Sequence, residues 1–251
     1  MDDPRRAPQG ADSLLRNLAQ VQRWDARARA NLVAPCYKLV ESGRHHLGAS
    51  KRGAVQFCLG AAVGVPIVYF GAQLIASAFY PGYSFLRQAA SMLGSPNSSH
   101  PGVFNAGAII TGVALITGGY GIYRALRSRG VSPVYYWLAW VSMTVVGCTC
   151  IQAGIFPLPD PRHTAFPFLV VFLIAIPFIF LLALWKQADA RGIRVFLVVC
   201  CAVVLLMVPL MSRAIVIPGA GAGLLQRIFA AATFLPVGVI GWKLRSSRIN
   251  E

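Results

Sequence analysis

Long apolar runs alternate with short polar segments along most of this chain. Six stretches are apolar almost without interruption: 54–80, 103–123, 135–153, 166–185, 195–212 and 224–242. Each is about the 20 residues that a helix needs to cross a hydrocarbon core of roughly 30 Å. The third carries Ser142, Thr144 and Gln152, and the sixth carries Arg227, yet the charge pattern described below needs both. Pro66, Pro177, Pro209 and Pro236 interrupt spans, which a bundle tolerates where neighbours satisfy the freed carbonyls. Small residues at four-residue spacing (Gly60/Gly64, Ala108/Gly112 and Ala114/Gly118) predict close helix packing within the bundle. No internal repeat of the kind that builds transporters stands out.

Composition agrees with this pattern. The 251 residues are 56% hydrophobic and only 12% charged, against about 25% charged in an ordinary soluble domain. The fold class is therefore an all-α integral membrane protein, a six-transmembrane-helix bundle. Three regions are expected: a basic N-terminal region over 1–53, a transmembrane domain over 54–243 and a tail over 244–251.

Charge fixes the expected orientation. Net charge is +15, from 23 basic and eight acidic side chains. Ten basic residues fall in 1–53, and three each in 124–134 (Arg124, Arg127, Arg129), 186–194 (Lys186, Arg191, Arg194) and 243–251 (Lys243, Arg245, Arg248). Basic residues gather on the cytoplasmic side, which predicts cytoplasmic N- and C-termini for a multi-pass protein of the plasma (inner) membrane. The positive charge then argues for no nucleic-acid partner. Within 12–32, Leu14, Leu18, Val21 and Trp24 recur at helical spacing among Arg16, Arg23, Arg27 and Arg29. This reads as an amphipathic cytoplasmic segment on the anionic inner leaflet, or as a tail whose charges only enforce topology.

Cysteine and histidine placement restricts the chemistry. Cys148 and Cys150 point about 200° apart on a helix, and Cys200 and Cys201 about 100°, so neither pair chelates one ion well. Packing roles suit them better. No histidine lies within a predicted span, which excludes bis-histidine haem held between helices. No cofactor is expected. The alternative is zinc held by His100, Asp160 and His163 on the outer side, where a metal-activated water would permit hydrolysis.

Only four arginines, Arg87, Arg162, Arg213 and Arg227, fall on the expected outer side, facing Asp160 alone. Arg227 lies about one turn inside an apolar span, where a charge is costly unless paired or hydrated. That surplus predicts an outer headgroup pocket for a lipid or anionic amphiphile, with Arg87, Asn105, His163, Arg213 and Arg227 as its polar partners. The competing reading is that each arginine snorkels to the interface. A second function class is an intramembrane enzyme acting on a lipid headgroup, with Asp160 and His163 as acid–base or metal residues. A small-solute transporter is disfavoured because no span holds an acidic relay residue. Asn97-Ser98-Ser99 matches a glycosylation sequon. Nothing singles out an oligomer or a protein partner.

The first outer connection contains Pro81-Gly82-Tyr83-Ser84, then Ser91, Leu93, Gly94, Ser95 and Pro96. It leads to Phe104, Asn105, Gly107 and Gly112; Phe156, Pro157 and His163 follow later. With these motifs the chain resembles a small prokaryotic six-helix membrane family of unknown function. That family is distantly similar to the eukaryotic damage-regulated autophagy modulator and Frag groups. The resemblance covers 80–186 in motifs and 54–243 in helix layout. It implies a six-helix bundle and, through Frag-like proteins that remodel lipid-anchored glycolipids, a connection with lipids. Such families commonly carry an acidic residue after the serine of the Ser-x-Leu-Gly stretch. Here that position is Met92, which weakens any transfer of acid–base chemistry to this loop.

Overall fold

The computed structural model describes residues 52–164, 167–211 and 221–247. The segment over 12–32, Cys36 and Arg213 lie outside these residues. Six helices follow one another, with no strand among the described residues: α1 Arg52–Ser77, α2 Pro101–Ser128, α3 Pro133–Ile155, α4 Val170–Ala183, α5 Arg191–Met211 and α6 Ala222–Ser246. Proline at the first position of α2 and α3 suits their starts, since the first-turn N–H groups have no helical acceptor.

Five of the six helices are long and apolar enough to cross a membrane, and α4 is a shorter apolar helix. The two runs with polar interruptions, now α3 and α6, are among the five. The shortfall is in the fourth, an entirely apolar stretch whose 14 residues span about 21 Å. Its expected start gives way to 3-10 turns at Pro161–Thr164 and Pro167–Leu169. Pro167 has no N–H and disfavours helix in the residue before it, so the regular helix begins only after it.

Glycines set the spacing of the bundle. A Cβ on Gly112 would stand 2.4 Å from the Gly147 carbonyl, and one on Gly147 would stand 2.7 Å from the Gly112 carbonyl. α2 and α3 therefore touch backbone to backbone in antiparallel register, with Gly154 equally tight against Asn105. Gly118 and Gly121 pack on Ala62 and Cys58 of α1, while Gly238 and Gly241 of α6 pack on Pro66 and Ala62. Lipid gives no hydrophobic drive for helices to associate, so such close approach replaces it. The small-residue pairs read from sequence divide between neighbours. Gly112 meets α3 and Gly118 meets α1, while Gly60 faces Arg245 and Gly64 has nothing within 4 Å.

Inside, Leu59, Leu115, Met143, Phe180, Leu197 and Ile240 belong to one buried cluster that draws on all six helices. The outside is also apolar, with Phe57, Ile67, Leu74, Ile110 and Leu205 exposed. Faces that are apolar inside and out suit lipid and not water. Antiparallel pairing gives the bundle two ends. At the basic end, Arg129 donates to the Leu244 carbonyl and Lys243 pairs with Asp189 at 2.7 Å. The opposite, connection end holds residues 78–100, 156–164 and 167–169, and the start of α6.

Candidate functional site

Residues 83–94 form a strap across the connection end. Gly82, at φ +70°, turns the chain in the left-handed region that glycine adopts without penalty. Tyr83 follows, with Ser84 and Gln88 closing a turn: Gln88 N donates to the Ser84 carbonyl at 2.9 Å and Ser84 N to Gln88 Oε1 at 2.6 Å. A 3-10 turn, Ala90–Gly94, completes the strap. Leu93 and Ala90 bury beneath it against Ala76 and Phe104.

Two adjacent α6 side chains hold the strap down. Arg227 Nη1 donates to the carbonyls of Phe85 at 2.8 Å, Gln88 at 3.0 Å and Gly223 at 2.9 Å. Its Nη2 donates to the Tyr83 hydroxyl. The guanidinium carbon lies 4.8 Å from the Phe85 ring centre and 5.7 Å from that of Tyr83. Burial raises the Tyr83 pKa, and the hydrogen bond and charge of Arg227 oppose that rise. Gln226 accepts from Ala90 N at 2.7 Å, and Leu224 N donates to the Leu86 carbonyl at 3.0 Å. Cβ atoms on Gly221 or Gly223 would overlap the strap backbone, so both positions need glycine for this approach. Arg227 thus offsets part of its burial with carbonyl dipoles and ring faces, with no carboxylate partner among the described residues and its Nε unpartnered.

Under the strap lies a cavity of about 400 Å³, within the range of small-molecule sites. Its apolar wall includes Phe104, Leu173, Phe229 and Phe234; its polar lining comprises Tyr69, Ser91, Thr149, Cys150, Gln152, His163 and Gln226. Among the described residues, no Asp, Glu, Lys or Arg lines it. Leu169 and Val170, where α4 begins, also face it, and Val170 is 47% exposed on the outside of the bundle. The cavity is partly open to its surroundings.

Among the described residues, His163 is the only sequence-predicted site residue in this lining. Its Nδ1 sits 2.9 Å from the Phe156 carbonyl. A carbonyl only accepts, so Nδ1 carries the proton and Nε2 is the unprotonated nitrogen of the neutral ring. The other candidates sit elsewhere. Asn105 donates Nδ2 to the Gly94 carbonyl at 3.2 Å, tying α2 to the end of the strap. A Cβ on Gly94 would fall 2.1 Å from Asn105 Oδ1, which accounts for that glycine. Arg87 is exposed on the strap. Asp160 receives Arg162 N, Nε and Nη2 at 2.9, 3.0 and 2.7 Å. The guanidinium hydrogen bonds hold its carboxyl down at about 2. His100 meets Ser99 Oγ at 3.2 Å and packs its ring on Phe79. Among the described residues no three His, Cys, Asp or Glu side chains form a group that could hold a metal ion.

Sequence reasoning passed over Tyr69 and Gln226, and named Ser91 only as a motif position and Gln152 only as a polar interruption. Gln226 had a readable signal, a second polar residue beside Arg227 in an apolar span. The match to known families covers residues 62–243, from within α1 almost to the end of α6. The chain belongs to the family described as "Protein of unknown function (DUF998)". Strap, cavity and both α6 clamp residues all fall within the DUF998 region. No curated protein and no solved structure matches the chain.

Proposed function

We propose that this DUF998 protein binds a lipid or other amphiphile in the cavity beneath the strap. The observation that carries this reading is the two-sided lining. An apolar wall suits a hydrocarbon chain, while Tyr69, Ser91, Gln152, His163 and Gln226 offer hydrogen bonds to a polar group. Entry is from the side, past Leu169 and Val170. The headgroup is then recognised by hydrogen bonding. Arg227 and Asn105 act through the strap they hold, and Arg87, exposed on the strap, remains a candidate for an anionic group, as does Arg213, which lies outside the described residues.

Native mass spectrometry of protein purified in mild detergent tests this. Wild type should retain an amphiphile that Ala153→Phe, which fills the cavity, releases. Ile110→Phe on the exposed face should retain it. A wild type that carries nothing, or an Ala153→Phe variant that retains as much, would sink the proposal.

A second reading, catalysis on a headgroup, draws on the fixed His163 ring with Nε2 as its free base. Vesicles of phosphatidylethanolamine and phosphatidylglycerol would then yield a new lipid mass with wild type and none with His163→Ala. Stoichiometric zinc lost on His163→Ala would favour the metal form of that reading.

We also infer six membrane crossings, with both termini cytoplasmic in the plasma (inner) membrane and 1–53 against its anionic leaflet. Arg124, Arg127, Arg129, Lys186, Arg191, Arg194, Lys243 and Arg245 share one end of the bundle, which supports this orientation. External labelling of Cys36 in intact cells would overturn it.

A further inference from the structure

Where α2 runs into α3 at the basic end, two arginines are turned onto phenols and not carboxylates. Arg124 Nη1 donates to the Tyr120 hydroxyl at 3.0 Å, and Arg127 Nη1 donates to the Tyr123 hydroxyl at 3.2 Å. Each reaches back one turn, so the two guanidiniums lie side by side on one helix face. Neither has an acidic partner among the described residues. The third arginine of this stretch behaves differently: Arg129 turns inward and donates to the Ala125 and Leu244 carbonyls. Aromatic packing braces the phenols. Tyr123 lies 4.9 Å from Trp137 and 5.4 Å from Trp140, and Tyr120 lies 6.2 Å from Tyr123. Tyr120 and Trp137 are 39% and 46% exposed.

We propose that Arg124, Arg127 and the hydroxyls of Tyr120 and Tyr123 form a binding site for the phosphate of an anionic phospholipid. A phenol that accepts from a guanidinium keeps its own O–H to donate, and each guanidinium keeps further N–H groups. The two guanidiniums and the Tyr120 hydroxyl thus stand on one helix face, with the 7%-exposed Tyr123 beneath them and no carboxylate paired to them among the described residues, an arrangement that suits phosphate oxygens. The exposed Trp137 and Leu138 beside them lie on the outside of a membrane-spanning hairpin. A ligand here has an apolar chain as well as an anion, which favours a lipid over free phosphate. An ordinary interfacial belt of aromatics and arginines anchors a protein without choosing a headgroup; this site chooses.

Full-length protein in detergent, offered phosphatidylglycerol or phosphatidylcholine, should retain the first selectively in native mass spectrometry. Replacing both arginines (Arg124→Gln with Arg127→Gln) should cut that selectivity about tenfold or more. The same two charges removed at Arg191 and Arg194 should change it less than twofold. Tyr120→Phe with Tyr123→Phe keeps the rings and the fold, and should lose selectivity several-fold at an unchanged melting temperature. Equal loss in the Arg191/Arg194 variant, or none in the tyrosine variant, overturns the proposal. Displacement of the lipid by millimolar inorganic phosphate overturns the lipid assignment.

Discussion

Arg227→Met separates a clamp from a ligand-binding residue. Three of the four acceptors of Arg227 lie outside its own helix, at Phe85, Gln88 and Tyr83. Hydrogen bonds to a charged group contribute about 1.5–3 kcal/mol each. Methionine keeps the packing of the stem and removes a desolvated charge, which offsets part of the loss. Near the lower end, closure of the strap should weaken by about 3 kcal/mol, roughly a hundredfold in its opening equilibrium. Hydrogen exchange reads this directly at the amides of Gln88, bonded to Ser84, and Ala90, bonded to Gln226. Exchange there should accelerate by about two orders of magnitude, while α2 and α3 amides around Gly112 and Gly147 keep their protection. Arg227→Lys places one point charge where a fork stood and should fall between. If strap protection in Arg227→Met stays within twofold of wild type, the clamp is wrong. A variant that loses a bound amphiphile with the strap still protected would return Arg227 to the ligand.

Gly147→Ala puts a Cβ 2.7 Å from the Gly112 carbonyl and should destabilise by about 1–3 kcal/mol through forced separation of α2 and α3. Gly64→Ala meets nothing within 4 Å and should be neutral or gain up to about 1 kcal/mol of helix propensity; melting curves that reverse this order would refute the packing account. Gln73 is buried with its Oε1 unpartnered, so Gln73→Leu should raise stability by about 1 kcal/mol, and a lower melting temperature would contradict it. Asp160 has its folded pKa depressed from 3.8 to about 2, so its pairing with Arg162 is complete above about pH 4 and lost as pH falls through 2. A carboxyl titration by NMR should find that midpoint, and one near 3.8 would mean that the pair does not form.

The spans were legible because a bilayer-crossing helix writes itself as a long apolar run, and Arg227 was conspicuous because charge is rare there. What Arg227 does was not legible. Its partners are mainly backbone carbonyls about 140 positions earlier in the chain, and any residue supplies a carbonyl. The cavity was hidden for a related reason: its lining comes from α1, the strap, α2, α3, the 161–170 segment and α6, each giving a few ordinary residues. α4 misled in the opposite direction. Its composition is the most apolar of all, yet Pro167 limits the helix. Small-residue spacing gave the right helices, and three-dimensional packing decided which neighbour each glycine meets.

Synthesis runs from the N-terminus, so the strap exists before α6 does. Phe85, Gln88 and Tyr83 wait with unused acceptors, and Ala90 with an unused amide, until the last hydrophobic segment arrives. That segment brings Arg227 and Gln226, the groups that match them. A charged residue that hinders the entry of α6 into lipid therefore becomes the reward for its docking. The cavity gains its α6 wall in the same late step. A chain truncated before α6 would carry most of the apolar mass of the bundle and lack Gln226, Phe229, Ala230 and Phe234 of the cavity lining.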